Sequence, residues 1–415
     1  MIDAPEDIDW KNYVVGRLTR VDSSSDDEKA RVSWEFDCLS GREPEEAGSE
    51  EGWLRGIEAV RVRSTPNKFQ RICGASPEVG DWFLLYFAGR KWPEGLPCHR
   101  SPLLVGGFDT DFPDWIHHGQ KILDDRGVEP PPHPVGAAIS EDIDWGKNIA
   151  GRSNFPTASE ADEPTLRAVL SSMGIPKKVV IRDVGQANFC CLKDEEGRIV
   201  LYYDVGWPLS FNKKTAPQRV TVDYTRAPVV LSHWDWDHLH FALRPEGRYL
   251  KDSKWIVPIQ KLGPGAARFA NELGKRGNLL GWKTNSLTVD VGSIALCTAP
   301  SSNSNSSGLA MRVSLQSGNT FLLVGDADYD FVASALKLPV DGLAATHHGA
   351  RFLSSWTSVP KPKRTYGKCI LSFGKGNSYG HPHQEALKKH NSAGWRQIIS
   401  TAGYKGVARA DREFE

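Results

Sequence analysis

Apolar positions recur in short runs between turn residues over the first third of the chain, and in strand-like and helix-like runs beyond it. Segments 13–18, 30–34 and 81–87 are β-like apolar runs, the pattern of strands facing a core on one side. They predict a small β-rich domain over residues 1–127, with a barrel as one arrangement. The acidic stretch 41–51 between them reads as a solvated loop. The run Glu129-Pro130-Pro131-Pro132-His133-Pro134 is a stiff, extended joint. Residues 128–175 are therefore expected to be a proline-rich linker and lead-in. From residue 176 onward the pattern alternates. Strands are expected at 178–182, 188–192, 198–203, 293–297, 309–315, 320–324, 342–345 and 369–373. Helical spacing marks 266–275, which Gly277 stops, and also 329–336 and 383–390. Hairpins followed by mixed strands and helices predict an α/β architecture of sheets with helices outside.

One boundary carries more chemistry than the others. The apolar run Ala227-Pro228-Val229-Val230-Leu231-Ser232 reads as a buried strand and ends at His233-Trp234-Asp235-Trp236-Asp237-His238. Four metal-capable side chains then lie in about one turn of backbone, a donor set suited to Zn²⁺, Mn²⁺ or Fe. A solvated polar loop would account for a lone Asp or His. It accounts poorly for two tryptophans, whose rings should bury and anchor the loop. Later strands end in the same manner, at Leu323-Val324-Gly325-Asp326, at Ala345-Thr346-His347-His348-Gly349, and at Ser378-Tyr379-Gly380-His381-Pro382-His383. Polar groups gathered on loops at one sheet edge are what a metal-hydrolase site needs.

Composition removes some partners. The 415 residues are 40% hydrophobic and 25% charged, with formal net charge zero. Such balance gives no global pull towards nucleic acid or an anionic membrane, so a polyanion would need a local patch. The start is acidic and lacks a basic segment followed by an apolar core, and no apolar run approaches the ~18–20 residues that cross a bilayer. A cytoplasmic location and no membrane association are expected. Seven cysteines without CxxC spacing suggest reduced, partly buried thiols and no disulfide framework. Glu6-Asp7-Ile8-Asp9-Trp10 recurs as Glu141-Asp142-Ile143-Asp144-Trp145. Two short copies are too few for a repeat architecture, leaving coincidence or a shared docking motif.

Residues 176–415 resemble the metallo-β-lactamase fold, and more narrowly the soluble hydrolase domain of the ComEC competence proteins. The resemblance rests on Asp183-Val184-Gly185-Gln186-Ala187-Asn188, Tyr203-Asp204-Val205-Gly206, the 231–238 cluster, Leu323-Val324-Gly325-Asp326-Ala327, His347-His348-Gly349 and Asn377-Ser378-Tyr379-Gly380-His381-Pro382, in that family's order. It implies an αββα sandwich carrying one or two divalent metal ions, Zn or Mn. The implied activity is that of a phosphodiesterase or nuclease, with nucleic acid or another phosphodiester as substrate. By position, His233 and Asp235 would face one metal, and Asp237 and His238 the other. Asp326 would bridge, and His347 would be the last ligand, with His348 its rival. Asp204 would support the cluster from behind. Asp237 would also orient the attacking water, and His381 would face the substrate, protonating the leaving oxygen or hydrogen-bonding a phosphate.

The family's common cluster has histidine where this chain has Asp235; the competence-type branch carries the aspartate. Another histidine that full two-metal members supply is missing, since no histidine occurs from Phe241 to Thr346. The turn containing Asn305 and Ser306 stands in that interval and is expected near substrate. Its oxygens are weaker ligands than imidazole and move preference from Zn²⁺ towards Mn²⁺ or Mg²⁺. Lys363, in the basic run Lys361-Pro362-Lys363-Arg364, is expected either to hold a phosphate or to be solvated. A small-molecule ester, lactone or thioester hydrolase is the alternative enzyme, and a binding protein with a degenerate site the non-enzyme alternative. The N-terminal domain could bind substrate or recruit a protein partner.

Overall fold

The computed structural model describes residues 12–23, 31–41, 54, 56–103, 107–124, 126–129, 140–218, 220, 225–300, 303–403 and 406–415. The acidic stretch beyond Gly41, the prolines of the joint and the first copy of the repeated pentapeptide lie outside them. By its contacts the chain divides into two units. One is Met1–Phe155 with Lys261–Glu272; the other is Pro156–Gln260 with Leu273–Glu415.

The first unit contains a closed barrel of strands β1 (Tyr13–Ser23), β2 (Val32–Ser40), β3 (Ile57–Ser64), β4 (Trp82–Phe87), β5 (Leu96–Pro102) and β6 (Phe112–Leu123), in the order β1-β2-β3-β5-β6-β4. Closure leaves no unpaired edge. Val14, Leu18, Phe36, Val60, Phe83 and Ile116 fill the interior with helix α1 (Pro66–Cys73), through its Phe69. Helix α1 starts at the Thr65 side-chain cap with Pro66 in its first turn, and ends at Gly74 with φ 71°, the N-terminal proline and C-terminal glycine asymmetry of helices. Helix α2 (Ser140–Arg152) carries the second copy of the pentapeptide and packs on the barrel. Asp142 accepts from the Tyr86 hydroxyl at 3.0 Å, and Trp145 meets Tyr13 edge-on at 5.5 Å. Part of the expected linker is thus an ordered helix of the barrel unit.

The second unit is built on two mixed sheets. Its elements are β7 (Glu160–Ala161), α3 (Glu163–Ser171), β8 (Lys178–Ile181), β9 (Phe189–Lys193), β10 (Ile199–Val205), β11 (Val229–Val230), α4 (Trp236–Leu239), β12 (Trp255–Pro258), α5 (Pro264–Lys275, which belongs mostly to the first unit), β13 (Leu279–Trp282), β14 (Ser286–Val289), β15 (Gly292–Leu296), β16 (Leu309–Ser314), β17 (Thr320–Leu323), β18 (Gly342–Ala344), β19 (Lys368–Leu371), α6 (Gln384–Ser392), β20 (Gln397–Ser400) and β21 (Arg412–Phe414). Among the described residues one sheet runs β21-β8-β9-β10-β11-β12-β13-β7 and the other β14-β15-β16-β17-β18-β19-β20. In both sheets antiparallel strands give way to parallel ones, at β10/β11 and at β17/β18.

Side-chain alternation decides which residues meet between the sheets. Val179, Ile181, Cys190, Leu192, Leu201 and Tyr203 of one sheet share a core with Leu309, Met311, Val313, Phe321 and Leu323 of the other. The intervening Ala310 and Leu322 point the opposite way, into a second cluster that includes Ala386 of α6. The second sheet is therefore buried on both faces, as parallel strands require. All seven cysteines are buried free thiols. Among the described residues no helix is long and apolar enough to cross a membrane.

One expected helix is absent. Residues 329–336 do not form a helix; only a 3-10 turn, Tyr329–Phe331, is present, and Val332 is extended at φ −72°, ψ 133°. Tyr329, Val332 and Leu336 still bury against the sheet, so their apolar spacing is satisfied by successive turns. The four-residue strands β12, β13 and β14 were not among the expected ones.

Tyr329 also links α6 to the sheet edge. Its hydroxyl lies 2.9 Å from Nε2 of buried His390, whose Nδ1 donates to Ala386 O at 2.7 Å. Burial, against a smaller opposing effect of that carbonyl, lowers the His390 pKa to about 4, from about 6.5 in an unfolded chain. Between those values the unfolded state binds more protons, so this contribution is full above pH ~6.5 and lost as pH falls towards ~4. Replacing His390 with Gln should reduce the loss of stability between pH 7 and pH 4.5 by ~2 kcal/mol, measured by urea unfolding at both pH values. An unchanged pH dependence would rule the role out.

Candidate metal centre

The strand order carries polar residues to one edge of the second unit. Asp204 is near the end of β10, His233 follows β11, Asp326 follows β17, and His347 and His348 follow β18. Parallel strands bring their C-terminal ends together, the usual place for a site on an α/β sheet. After β11 the chain turns into the single helical turn of α4, with Trp234 and Trp236 buried. Trp234 Nε1 donates to Pro258 O at 3.0 Å, fixing the loop against the next strand.

Asp204 lies beneath this loop and is fully buried. Its carboxylate accepts from Ser232 N at 2.7 Å, Ser232 Oγ at 2.8 Å and Asn188 Nδ2 at 2.8 Å, and meets His238 Nδ1 at 2.8 Å. The carboxylate makes Nδ1 the protonated nitrogen, leaving the Nε2 lone pair of His238 facing outward. There it lies 3.2 Å from Asp326 Oδ1 and 3.9 Å from Asp237 Oδ1. Ser232 Oγ is also 3.0 Å from Nδ1 of His233. Gly325, at φ 57°, has no room for a Cβ because Ser232 occupies that space. A glycine there lets β17 run close to β11 and sets Asp326 beside the cluster.

His348 is oriented in a similar way. Its Nδ1 donates to Ser372 O at 2.7 Å, while Nε2 is 3.4 Å from Asp237 Oδ2 and 3.8 Å from Asp326 Oδ1. His347 Nε2 is 3.2 Å from Asp326 Oδ2, and its side chain is 19% exposed where that of His348 is 1% exposed. His233 Nε2 is 3.5 Å from Asp235 Oδ2. Among the described residues the non-glycine positions with positive φ are Asp204, His347 and His348. Such backbone strain is retained where surrounding contacts over-determine it, often at working sites.

These positions fit a cation. His233 Nε2, Asp235 Oδ2, His238 Nε2, Asp326 Oδ2 and His348 Nε2 are buried and lack a hydrogen-bond partner, which is costly for polar atoms that face only one another. Ligand atoms of His233, His238 and Asp326 lie within 4.8 Å of one another, as do those of Asp237, His238 and His348. Tetrahedral ligands at 2.0–2.1 Å from zinc stand about 3.4 Å apart, close to the 3.2 and 3.4 Å separations here. One imidazole nitrogen serves one cation, so His238 cannot complete both triads at once.

Electrostatics agree with this geometry. Burial works against a charge on His238, but the carboxylates of Asp326 and Asp204 outweigh it and hold its pKa well above the usual imidazole value. Burial likewise opposes ionisation of Asp326, but His347, His238 and His348 pull its pKa well below the usual carboxylate range. The carboxylates thus demand positive charge in the space between the rings, which a proton or a metal ion can supply.

The remaining expected residues divide. His381 is buried, its ring 5.6 Å from that of His347 and 6.3 Å from that of His348. The turn Ser304–Ser306 adjoins the cluster through Gly308, which packs against Ser232 and His233. Ser306 is buried there and its hydroxyl accepts from Asp328 N at 3.2 Å; Asn305 receives a contact from Ser304 Oγ at 3.4 Å. Lys363 is elsewhere. Its Nζ is 3.8 Å from Asp341 Oδ2, ahead of β18 and at the strand edge opposite His347. It does not join the cluster, because the run 361–364 leads into the start of β19 rather than out of its end. His240, close to the cluster in the chain, is fully buried, and burial lowers its pKa to about 3. Asn188 and Ser232 were inside recognised motifs, but only the fold shows what they hold.

Compared with protein-family models and with curated proteins, the chain matches none.

Replacing Asp204 with Asn should weaken divalent-metal affinity by about 10–100-fold, because the amide no longer enforces the His238 orientation. Competition with a fluorescent chelator measures this, with circular dichroism as the check on folding. Wild-type affinity in a folded variant would remove the supporting role.

Proposed function

We propose that the second unit is a metal-dependent hydrolase acting on phosphodiesters. The observation that carries this reading is the convergence of buried, unbonded imidazole and carboxylate atoms on one space at the strand ends. The two-sheet core with α6 against one outer face is consistent with the αββα metallo-β-lactamase sandwich that the motifs resemble. Asp237, His238, His348 and Asp326 would hold one divalent ion, Zn or Mn. His233 and Asp235, sharing Asp326, form a poorer and more oxygen-rich second position. When bound, a divalent cation supplies Lewis acidity, making water acidic enough to attack near neutral pH and neutralising charge that builds on substrate oxygens.

The chain's own groups do the rest. Asp237, 6% exposed, can orient a water by accepting its hydrogen bond. His348 and His238 are kept from turning by Ser372 and Asp204. His381 adjoins His347 and can meet a substrate oxygen. An anionic substrate is favoured by the neighbouring loops, where Lys213, Lys214 and Lys375 are exposed. Asn212, beside Lys213, accepts from Ser378 N at 2.8 Å and Ser378 Oγ at 2.9 Å, so these loops are tied together near His381. Such a local patch can hold a phosphate chain although the whole protein is neutral.

Metal analysis of protein purified without chelators should find about one to two transition-metal ions per chain. A Mn²⁺- or Zn²⁺-supplemented screen of single-stranded DNA, duplex DNA, RNA and a generic phosphodiester should show cleavage, and Asp237→Ala should abolish it without unfolding the protein. Protein that neither contains nor rebinds metal would end the reading, and hydrolysis of esters or lactones alone would replace the substrate class.

A further inference from the structure

His381 could serve a hydrolase in two ways, as an acid that gives up a proton or as a neutral hydrogen-bond donor, and its partner distinguishes them. Gln186 is 1% exposed and held by its backbone N–H, which donates to Thr215 Oγ1 at 2.9 Å. Its side-chain amide spans two groups. Oε1 accepts from Gly374 N–H at 3.3 Å, and Nε2 lies 3.3 Å from Nδ1 of His381. An amide nitrogen only donates. Turning the amide over would place its NH₂ against the Gly374 N–H, donor facing donor, and its oxygen would leave that backbone group unbonded in the interior. The observed orientation therefore requires Nδ1 of His381 to accept. An imidazolium, which carries hydrogen on both nitrogens, would direct Nδ1–H at the amide hydrogens. The histidine is also fixed through its backbone, because Asn377 Oδ1 accepts from His381 N at 3.0 Å and Asn377 Nδ2 donates to His381 O at 2.7 Å.

We propose that Gln186 is a positioning residue that holds His381 in the neutral form protonated on Nε2, so that His381 offers the substrate a hydrogen bond and transfers no proton. A neutral imidazole held in this way polarises an oxygen without leaving its own proton behind. The bond to the leaving oxygen then breaks with water, not His381, as the proton source. Use of that hydrogen bond in turnover rests on the hydrolase reading; the protonation pattern does not.

Long-range ¹H–¹⁵N correlation on ¹⁵N-histidine-labelled protein, with His381 assigned by its loss in H381Q, should show Nε2 protonated and Nδ1 bare. Gln186→Glu, which can only accept, should move a proton to Nδ1. A wild-type ring with hydrogen on Nδ1 overturns the proposal, even if the variant does not fold. In kinetics, His381→Ala should slow a diester with an alkoxide leaving group and one with p-nitrophenolate by the same factor, on the order of a hundredfold, and His381→Gln should recover part of it. A loss confined to the alkoxide substrate would identify an acid and overturn the proposal, as would no loss on either. Failure to cleave any diester would sink the hydrolase reading while the spectra still decide the protonation of His381.

Discussion

The buried carboxylate of Asp204 is the constraint on which the site depends. It sits in a left-handed backbone conformation at the end of one strand and ties together three other pieces of chain. Asn188 comes from the preceding hairpin, Ser232 from the end of the next parallel strand, and His238 from the turn that follows. A buried charge is tolerated only when its hydrogen bonds are nearly complete. The same bonds that satisfy Asp204 therefore set where the β11 loop begins and which nitrogen His238 presents. Ser372 does the same for His348 through a backbone carbonyl.

Around that anchor the site is a balance of charge. Asp235, Asp237 and Asp326 face His233, His238, His347 and His348 across distances too long for several of them to bond one another. Neither the apolar core between the sheets nor bulk water reaches the buried atoms to compensate them. The arrangement has its lowest energy with positive charge in the middle, which links a structural cost to a chemical use. Strain at His347 and His348 belongs to the same compromise, since the left-handed turn directs both rings back over the sheet edge. Tyr329, bonded to Thr346 N and to His390, braces that turn from the other side.

Much of this was legible because the residues come in short contiguous motifs that punctuate apolar runs. The 233–238 cluster was marked by two tryptophans, and both rings are buried. Helix α6 and the long strands had enough turns or alternations to be recognised. Of the short strands, β17, β18 and β19 were read from their apolar runs, while β12, β13 and β14 were not; a short apolar run has no measurable period. The segment 329–336 had helical spacing but lies as turns, since burial of Tyr329, Val332 and Leu336 does not require a helix. Lys363 was a candidate phosphate holder, with a solvated loop as the alternative, because it lies in a basic run near the later motifs. Nearness in sequence says nothing about which end of a strand a residue occupies.

The sequence by itself determined the donor types, their order and the apolar runs that deliver them to strand ends, because these depend on local periodicity and side-chain chemistry. Only the tertiary structure decided which atoms face one another. Asp204, Ser232 and Asn188 became a support for two imidazoles, His348 proved the more enclosed of its pair, Gln186 acquired His381 as a partner, and Lys363 was moved to the far edge. The physical reason is that hydrogen-bond direction and burial belong to pairs of groups far apart in the chain. Neither exists until the sheets have packed.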